Sequence, residues 1–436
     1  MPLYWFLLVV LSLGCGTFGR SDVDPLRMGV ATAGLCLGWG LLAKTAALIA
    51  TSQLQQRRGN RVAIVRLFER QLDGLRWAGL LAAGVVLAGF GYAGWVESLP
   101  ISRVSMAARA ALLMVPALSI VSLLWWVDYQ FGVANGFVTG GWRRTYRDAL
   151  AMFRLQAAWL VLPVLLLLLL LDLATAIPGL GALGGGVVVA AMALLAVLLG
   201  LPMVVRWIWK TERLDAMGPY GELARLPALA GFRGLPAFRW DTGQRACNAM
   251  VAGFVPRCRI LVLSDQLLQR LTASEQTMIV LHELAHLRRW HVPLRMAVVV
   301  PAWGLVALTN LLFPDVAWVS PVATGASVLL TLGLLRGVAH QTELDADRTA
   351  CRMAVEIARR FPKVTVPKTM GEATDALQRA LEAVTIDHPG ARRCTWLHPS
   401  VPRRIAQLER LGMPATTSRA TVSTELPAAD WIGQPL

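Results

Sequence analysis

Before residue 210 the chain contains six apolar runs, each close to the length that crosses a bilayer, and this limits the fold more than any motif does. The runs are Pro2–Gly19, Met28–Ala50, Leu75–Val96, Ala107–Val127, Gln156–Pro178 and Gly184–Trp209. About 20 apolar residues in a helix span a hydrocarbon layer of roughly 30 Å. Two more runs, Val292–Phe313 and Val316–Leu335, bring the expected count to eight. The first run is short and the last pair could form one tight hairpin, so seven is the alternative. The composition agrees: 56% of residues are hydrophobic, only 16% are charged, and the mean hydropathy is +0.54. Soluble domains carry about 25% charged residues. Ser12-Leu13-Gly14-Cys15 matches a lipoprotein cleavage site poorly and no basic residue precedes the first run, so that run reads as a retained span.

The basic residues divide unequally between the loops. The formal net charge is +15, almost all from arginine, because the only lysines are Lys44, Lys210, Lys363 and Lys368. Thr51–Gly74 carries Arg57, Arg58, Arg61, Arg66 and Arg70, and Asp128–Leu155 carries Arg143, Arg144, Arg147 and Arg154. The alternate loops (Ser21–Arg27, Glu97–Met106, Gly179–Leu183 and the turn at Pro314-Asp315) are poorer. Basic loops mark the cytoplasmic side. The N-terminus, Lys210–His291 and Arg336–Leu436 are therefore expected there. This pattern accounts for a pI near 10.5 without nucleic acid as a partner. Trp125, Trp126, Trp207 and Trp209 flank spans as interfacial anchors, and Lys44 can snorkel. Asp172 lies in the Val161–Ile177 run, either as a functional acid or, near the run's outer end, exposed to the interface.

Between the apolar runs stands Leu281-His282-Glu283-Leu284-Ala285-His286. Four residues of helix advance about 400°, so His282 and His286 share a face and can reach one zinc ion. Glu283, turned about 100° from His282, can act on a water there. Thr272-Ala273-Ser274-Glu275 fits a capping box that opens this helix, which should run to about Arg289. Upstream, Thr211–Trp240 reads as a connector. Gln244–Phe254 and Arg259–Leu263 read as short strands around Pro256, and Asp265–Leu271 as a short helix. Downstream, Val338–Arg360 and Glu372–Val384 read as helices, Phe361–Met370 as a loop, Asp387–Ser400 as irregular, and Pro402–Leu411 as the last helix. The residues from Gly412 read as a disordered tail. The six cysteines show no C-x-x-C spacing and read as reduced thiols.

A catalytic zinc needs a third protein ligand and an open position. His291 follows His282 by one residue too few for the three-histidine pattern and lacks its glycine. His340 borders a span and begins no pattern. Glu343 begins Glu-x-x-x-Asp, which sets Glu343 and Asp347 on one helical face. The glutamate could bind metal while the aspartate receives a ring N–H from a ligand histidine. The same acids could instead pair with Arg348 or Arg352 on a solvated face.

Three segments occur in order: Ile279–His286, Glu343-Leu344-Asp345-Ala346-Asp347-Arg348, and His398-Pro399-Ser400-Val401-Pro402-Arg403-Arg404-Ile405. With Cys247-Asn248-Ala249-Met250 ahead of them, they resemble the membrane zinc metalloproteases of the HtpX and CAAX prenyl endopeptidase family, over about Gln244–Leu411. The resemblance implies one Zn²⁺ per chain held by His282, His286 and Glu343, with Glu283 as general base. It implies that Asp347 supports a ligand and that Asn248 lies on an edge strand which pairs with substrate. His398 and Arg404 would stand near the site, able to stabilise an oxyanion or hold a carboxylate; Arg403 is the alternative to Arg404, and a helix cap the alternative for His398.

The expected fold class is a mainly α, polytopic membrane protein carrying a zincin-like α+β domain split around a transmembrane hairpin. Its parts are a membrane region 1–209, a first half-domain 210–291, the hairpin 292–335, a second half-domain 336–411 and the tail 412–436. The expected activity is endopeptidase action on membrane-associated or misfolded proteins at the cytoplasmic face of a bacterial inner (cell) membrane. The partners are the bilayer and a protein or peptide substrate. A BlaR-type signal-transducing metalloprotease and a non-catalytic scaffold are the alternatives. The outer loops are too short for a sensor domain, and Glu283 with a full ligand set speaks against a scaffold.

Overall fold

The computed structural model describes residues 2–15, 23–56, 60–137, 149, 153–177, 185–242, 246–253, 255–313, 316, 319–386 and 392–412. The chain divides into two compact units, Met1–Trp209 and Lys210–Leu436.

The first unit is helical among its described residues: α1 (Pro2–Cys15), α2 (Pro25–Gln55), α3 (Arg61–Gly84), α4 (Tyr92–Ser98), α5 (Pro100–Val104), α6 (Met106–Ala134), α7 (Trp159–Thr175) and α8 (Gly185–Trp209). A π-helical turn, Val85–Gly89, extends α3, and another, Arg154–Ala158, leads into α7. Among the described residues four helices are long and apolar enough to cross a membrane: Pro25–Gln55, Arg61–Gly89, Met106–Ala134 and Val188–Trp209. Tyr4–Cys15 and Leu160–Thr175 are shorter apolar helices. Phe68, Leu72, Met114, Ile120 and Leu124 fill the interior, while Val30, Leu41, Leu81 and Met203 point outward. In water so much exposed apolar surface would be a liability; against lipid it is the expected exterior.

Local chemistry moves several boundaries away from the sequence expectation. Asp24 caps α2 ahead of Pro25, and Asn60 caps α3 by accepting from the Val62 N–H at 2.9 Å. Arg61, Arg66 and Arg70, expected in a loop, thus lie on a helix. Arg57, Arg58, Arg143, Arg144 and Arg147, and the loops 179–183 and 314–315, lie outside the described residues. Asp172 is half-buried and serves as a cap. Its carboxylate accepts from Ser105 Oγ (2.6 Å) and from the N–H groups of Met106 (2.8 Å) and Ala107 (3.0 Å). It therefore satisfies the open donors at the start of α6. Trp209, expected as an anchor, is buried and donates to the Arg154 carbonyl at 3.2 Å. Trp207 is 79% exposed, as an interfacial residue would be.

The second unit opens with β1 (Thr211–Arg213), α9 (Gly221–Leu229) and β2 (Ala237–Trp240), where the sequence suggested only a connector. Then follow β3 (Ala249–Ala252), β4 (Ile260–Ser264), α10 (Asp265–Arg270), α11 (Ala273–Arg288), α12 (His291–Ala297), α13 (Val299–Leu312), α14 (Val319–Arg360), α15 (Met370–Thr385) and α16 (Val401–Gly412). The sheet order is β1-β2-β4-β3. β2 and β4 are parallel; the outer pairs are antiparallel. β3 is an edge. Residues 413–436, for which a disordered tail is expected, lie outside the described residues.

The largest departure concerns α14. A span ending at Leu335 and a separate helix from Val338 were expected, but one helix runs through both. At 1.5 Å per residue its 42 residues make a rod of about 63 Å. Gly337, between the two expected helices, is exposed in open space, so it weakens the helix without ending it. Around the rod's first half and α13, Val300, Leu308, Leu311, Val322 and Leu329 are exposed. The second half is buried, and Ala346, Ala350 and Ala354 are fully enclosed. These small residues recur every four positions and form one stripe. Together with Ala285 on α11 they let the two backbones approach closely, which puts polar side chains of both helices within reach of each other. Leu261, Leu263, Met278, Leu281 and Leu284 complete this core.

Candidate metal centre

The site is built where α11 crosses the buried half of α14. Thr272 starts α11 as the sequence predicts: its N–H donates to the Glu275 carboxylate at 2.9 Å, and its side chain accepts in return. The register set there brings His282 and His286 onto the face that meets Glu343. The two Nε2 atoms lie 3.3 Å apart. His282 Nε2 is 3.6 Å from Glu343 Oε2, and His286 Nε2 is 3.4 Å from Glu343 Oε1. Among the described residues these three form the group whose donor atoms lie close enough to hold one metal ion. Four ligands at about 2.0–2.1 Å from a tetrahedral zinc stand about 3.4 Å from one another. The observed edges match that figure, and two imidazoles with a carboxylate are a zinc donor set. The residues therefore fit the ion.

Charge supports the same conclusion. Burial disfavours a charged His282, but the Asp347 and Glu343 carboxylates outweigh it and push the ring up to about 9. Burial carries His286 the other way, down to about 4. Burial also opposes charge on Glu343, yet its contacts with His282, His286 and His398 hold it well below the usual range. A cation set among these donors replaces the proton that His282 otherwise holds. Burial pushes Glu283, beside this cluster, up to about 7. It occupies the half-exposed position next to His282.

Each ligand is held from behind. His282 Nδ1 lies 2.9 Å from Asp347 Oδ1, a short contact that is not aligned as a straight hydrogen bond. Asp347 is fully buried and accepts two bonds from Arg404, from Nε at 2.8 Å and from Nη2 at 2.6 Å. Arg404 thus reaches the site through Asp347, and its Nη1 is 3.8 Å from Glu343 Oε2. Arg403 is exposed. His398 has its Nδ1 3.0 Å from Glu343 Oε2 with its side chain 55% exposed. Its loop is tied down by the Thr395 N–H donating to the His398 carbonyl at 2.9 Å and by His340 Nε2, 3.0 Å from the Thr395 carbonyl. His340 therefore supports the loop and is not in the ligand group. Asn248 stands apart from the ligands. It is exposed at the start of β3, its N–H donates to Ser264 Oγ and its Oδ1 accepts from the Ala249 N–H, each at 2.9 Å.

Four participants escaped the sequence reading. His291, set aside as a ligand, touches His286 at its far ring nitrogen, and Asp345 with Arg289 stands behind it. Arg295 donates to Glu343. The i, i+4 spacing of His291 and Arg295 was visible, but their orientation depends on a helix break after Arg288, for which Pro293, unable to donate to the Arg289 carbonyl, was the available signal.

The chain is similar to the crystal structure of S. mikatae Ste24p, with a TM-score of 0.49 and 15% sequence identity over 89% of this chain and 100% of that one. Residues 221–411 match the model for peptidase family M48, whose members are in general zinc-dependent metallopeptidases. That stretch contains the whole donor set, Glu283 and the residues that hold them. Over residues 221–411 the chain is thus similar to peptidase family M48.

Proposed function

We propose that the chain is an integral-membrane zinc endopeptidase that hydrolyses peptide bonds of membrane-associated or misfolded proteins at the cytoplasmic face. The observation carrying this reading is the tetrahedral spacing of His282, His286 and Glu343 with Glu283 beside them. When bound there, zinc supplies Lewis-acid polarisation of the scissile carbonyl and raises the acidity of water. Glu283 takes the proton of the attacking water and delivers it to the leaving amine. His398, with its exposed ring, is the donor nearest to solvent for the oxyanion. The outer edge of β3, next to Asn248, offers main-chain hydrogen bonds to an extended peptide, a mode that demands little of its sequence.

The cytoplasmic assignment rests on the arginine-rich stretches of sequence between apolar runs, Arg57–Arg70 and Arg143–Arg154. The exposed apolar side chains of α13 and the first half of α14 favour a membrane hairpin there. With the hairpin in lipid, its continuation as α14 holds Glu343 near the bilayer surface.

The test compares wild type with Glu283→Gln, both purified in detergent. Metal analysis should find zinc in both. Cleavage of casein, or self-cleavage, should fall by about 10²–10⁴-fold in the variant, the usual contribution of a general base. Equal cleavage by the two proteins would sink the mechanism.

A further inference from the structure

We infer that the short helix α12 positions two of the three metal ligands, His291 orienting His286 and Arg295 holding Glu343. The inference rests on the zinc reading above. His286 Nδ1 and His291 Nδ1 are 2.9 Å apart, and His291 Nε2 is 3.1 Å from Asp345 Oδ2. One assignment of protons satisfies every group. With Nε2 facing metal, neutral His286 carries its proton on Nδ1 and donates it to His291 Nδ1. His291 then carries its own proton on Nε2 and donates to Asp345. Arg289 Nε donates to the same Asp345 oxygen at 2.8 Å. His282 meets a carboxylate directly; His286 meets one through His291.

Arg295 lies one turn along from His291, on the same face of α12. Its Nη2 donates to Glu343 Oε1 at 2.9 Å and to Thr342 Oγ1 at 2.7 Å. One carboxylate oxygen of Glu343 is thereby tied down and the side chain is fixed in orientation.

The backbone between α11 and α12 sets up this arrangement. On an unbroken helix His291 would be turned about 140° away from His286. Trp290 interrupts it with a left-handed conformation, φ 56°, which brings His291 back beneath His286 at 3% exposure. That conformation strains any residue with a Cβ, and the Trp290 side chain is 70% exposed with no role in the core.

The test measures zinc affinity by chelator competition and the visible spectrum of the Co²⁺-substituted protein, with the metal-free melting temperature as the control for folding. His291→Phe keeps the ring's bulk and removes both nitrogens. It should weaken zinc binding by about 10–100-fold and alter the cobalt bands, as losses of such supporting contacts do. His291→Asn, which returns an acceptor near Nδ1, should recover much of the affinity. Arg295→Met should fall in the same range. Trp290→Gly, which keeps the turn, should bind zinc like wild type. If His291→Phe does not fold, Asp345→Asn gives the decision, with an expected loss of about tenfold. Zinc affinity and cobalt spectra unchanged in stably folded His291→Phe and Arg295→Met, or an unchanged Asp345→Asn where that variant decides, would overturn the inference. Wild type that binds no zinc would instead overturn the metal reading beneath it.

Discussion

Replacing Arg404 by methionine separates two roles for its guanidinium, a support for Asp347 and a direct contact with substrate. Asp347 is fully buried and Arg404 is 8% exposed, so solvent screens their pair little. The variant leaves the Asp347 carboxylate with His282 at 2.9 Å as its remaining charged neighbour. Removing one partner of a buried ion pair costs about 3–5 kcal/mol. His282, held protonated in the metal-free site, offsets part of this, so the expected loss is about 3 kcal/mol. For a unit of this size each kcal/mol moves the melting temperature by about 2–4 °C, giving a fall of about 6–12 °C. The assay is thermal unfolding in detergent at a fixed scan rate, with a chelator in every sample so that differences in zinc binding do not enter. Asp347→Asn combined with Arg404→Met removes both charges and should recover about 2 kcal/mol relative to additivity. If Arg404→Met melts within about 1 °C of wild type and the double variant is additive, the ion pair contributes nothing to stability. A loss of cleavage at unchanged stability would then place the guanidinium on substrate.

Alanine at Glu343 should abolish zinc retention through dialysis while the metal-free protein still folds; retained stoichiometric zinc would remove Glu343 from the ligand set. Thr272→Ala breaks the capping box ahead of the histidines and should lower stability by about 1 kcal/mol, read as a melting shift, with zinc content unchanged. Asp172→Ala uncaps α6 and should cost about 1–2 kcal/mol while leaving zinc binding and cleavage as in wild type. Lost cleavage at unchanged stability would make Asp172 a functional acid. Gly337→Ala should stabilise by up to about 1 kcal/mol because α14 is continuous there, whereas Gly337→Pro should cost about 3 kcal/mol or more and impair zinc binding by displacing Glu343. A tolerated proline would mean that the helix is broken at that point.

Much of the fold was legible because its signals are local. The apolar runs located most helices of the first unit, although the Leu75–Val96 run divides between α3, which already starts at Arg61, and α4, and the capping box located the start of α11. β1 and β2 were not legible. Thr211–Arg213 has no apolar alternation, and Ala237-Phe238-Arg239-Trp240 becomes a strand because β4 lies parallel beside it. That is a long-range pairing which four residues cannot announce. The continuity of α14 was hidden for the opposite reason. An arginine and a glycine after an apolar run look like the end of a span, yet neither residue type stops a helix, and the Ala346–Ala354 stripe packed on α11 supplies the stability that the apolar run alone suggested would end.

The site divides in the same way. The candidate ligand group was readable because both histidines sit on one helix and because Glu343 and Asp347 share a face of another, which are relations of period and spacing. The groups that hold those ligands come from elements whose relative placement is tertiary: Arg404 from the last helix, His398 from a loop pinned by His340, and His291 and Arg295 from a helix re-aimed by one left-handed residue. A ligand set alone defines where a metal goes; the contacts behind it define how firmly and in which orientation. Two of those contacts leave from α12, the connection between α11 and the exposed apolar segment α13. The third ligand stands on α14, whose other half is the second exposed apolar segment. Any movement of the α13–α14 pair would therefore reach His286 through α12, and Glu343 together with Asp347, the carboxylate behind His282, through α14. The metal geometry is set jointly by the folded core and by the apolar hairpin inserted into it, which is a physical reason for such a domain to be interrupted by the hairpin.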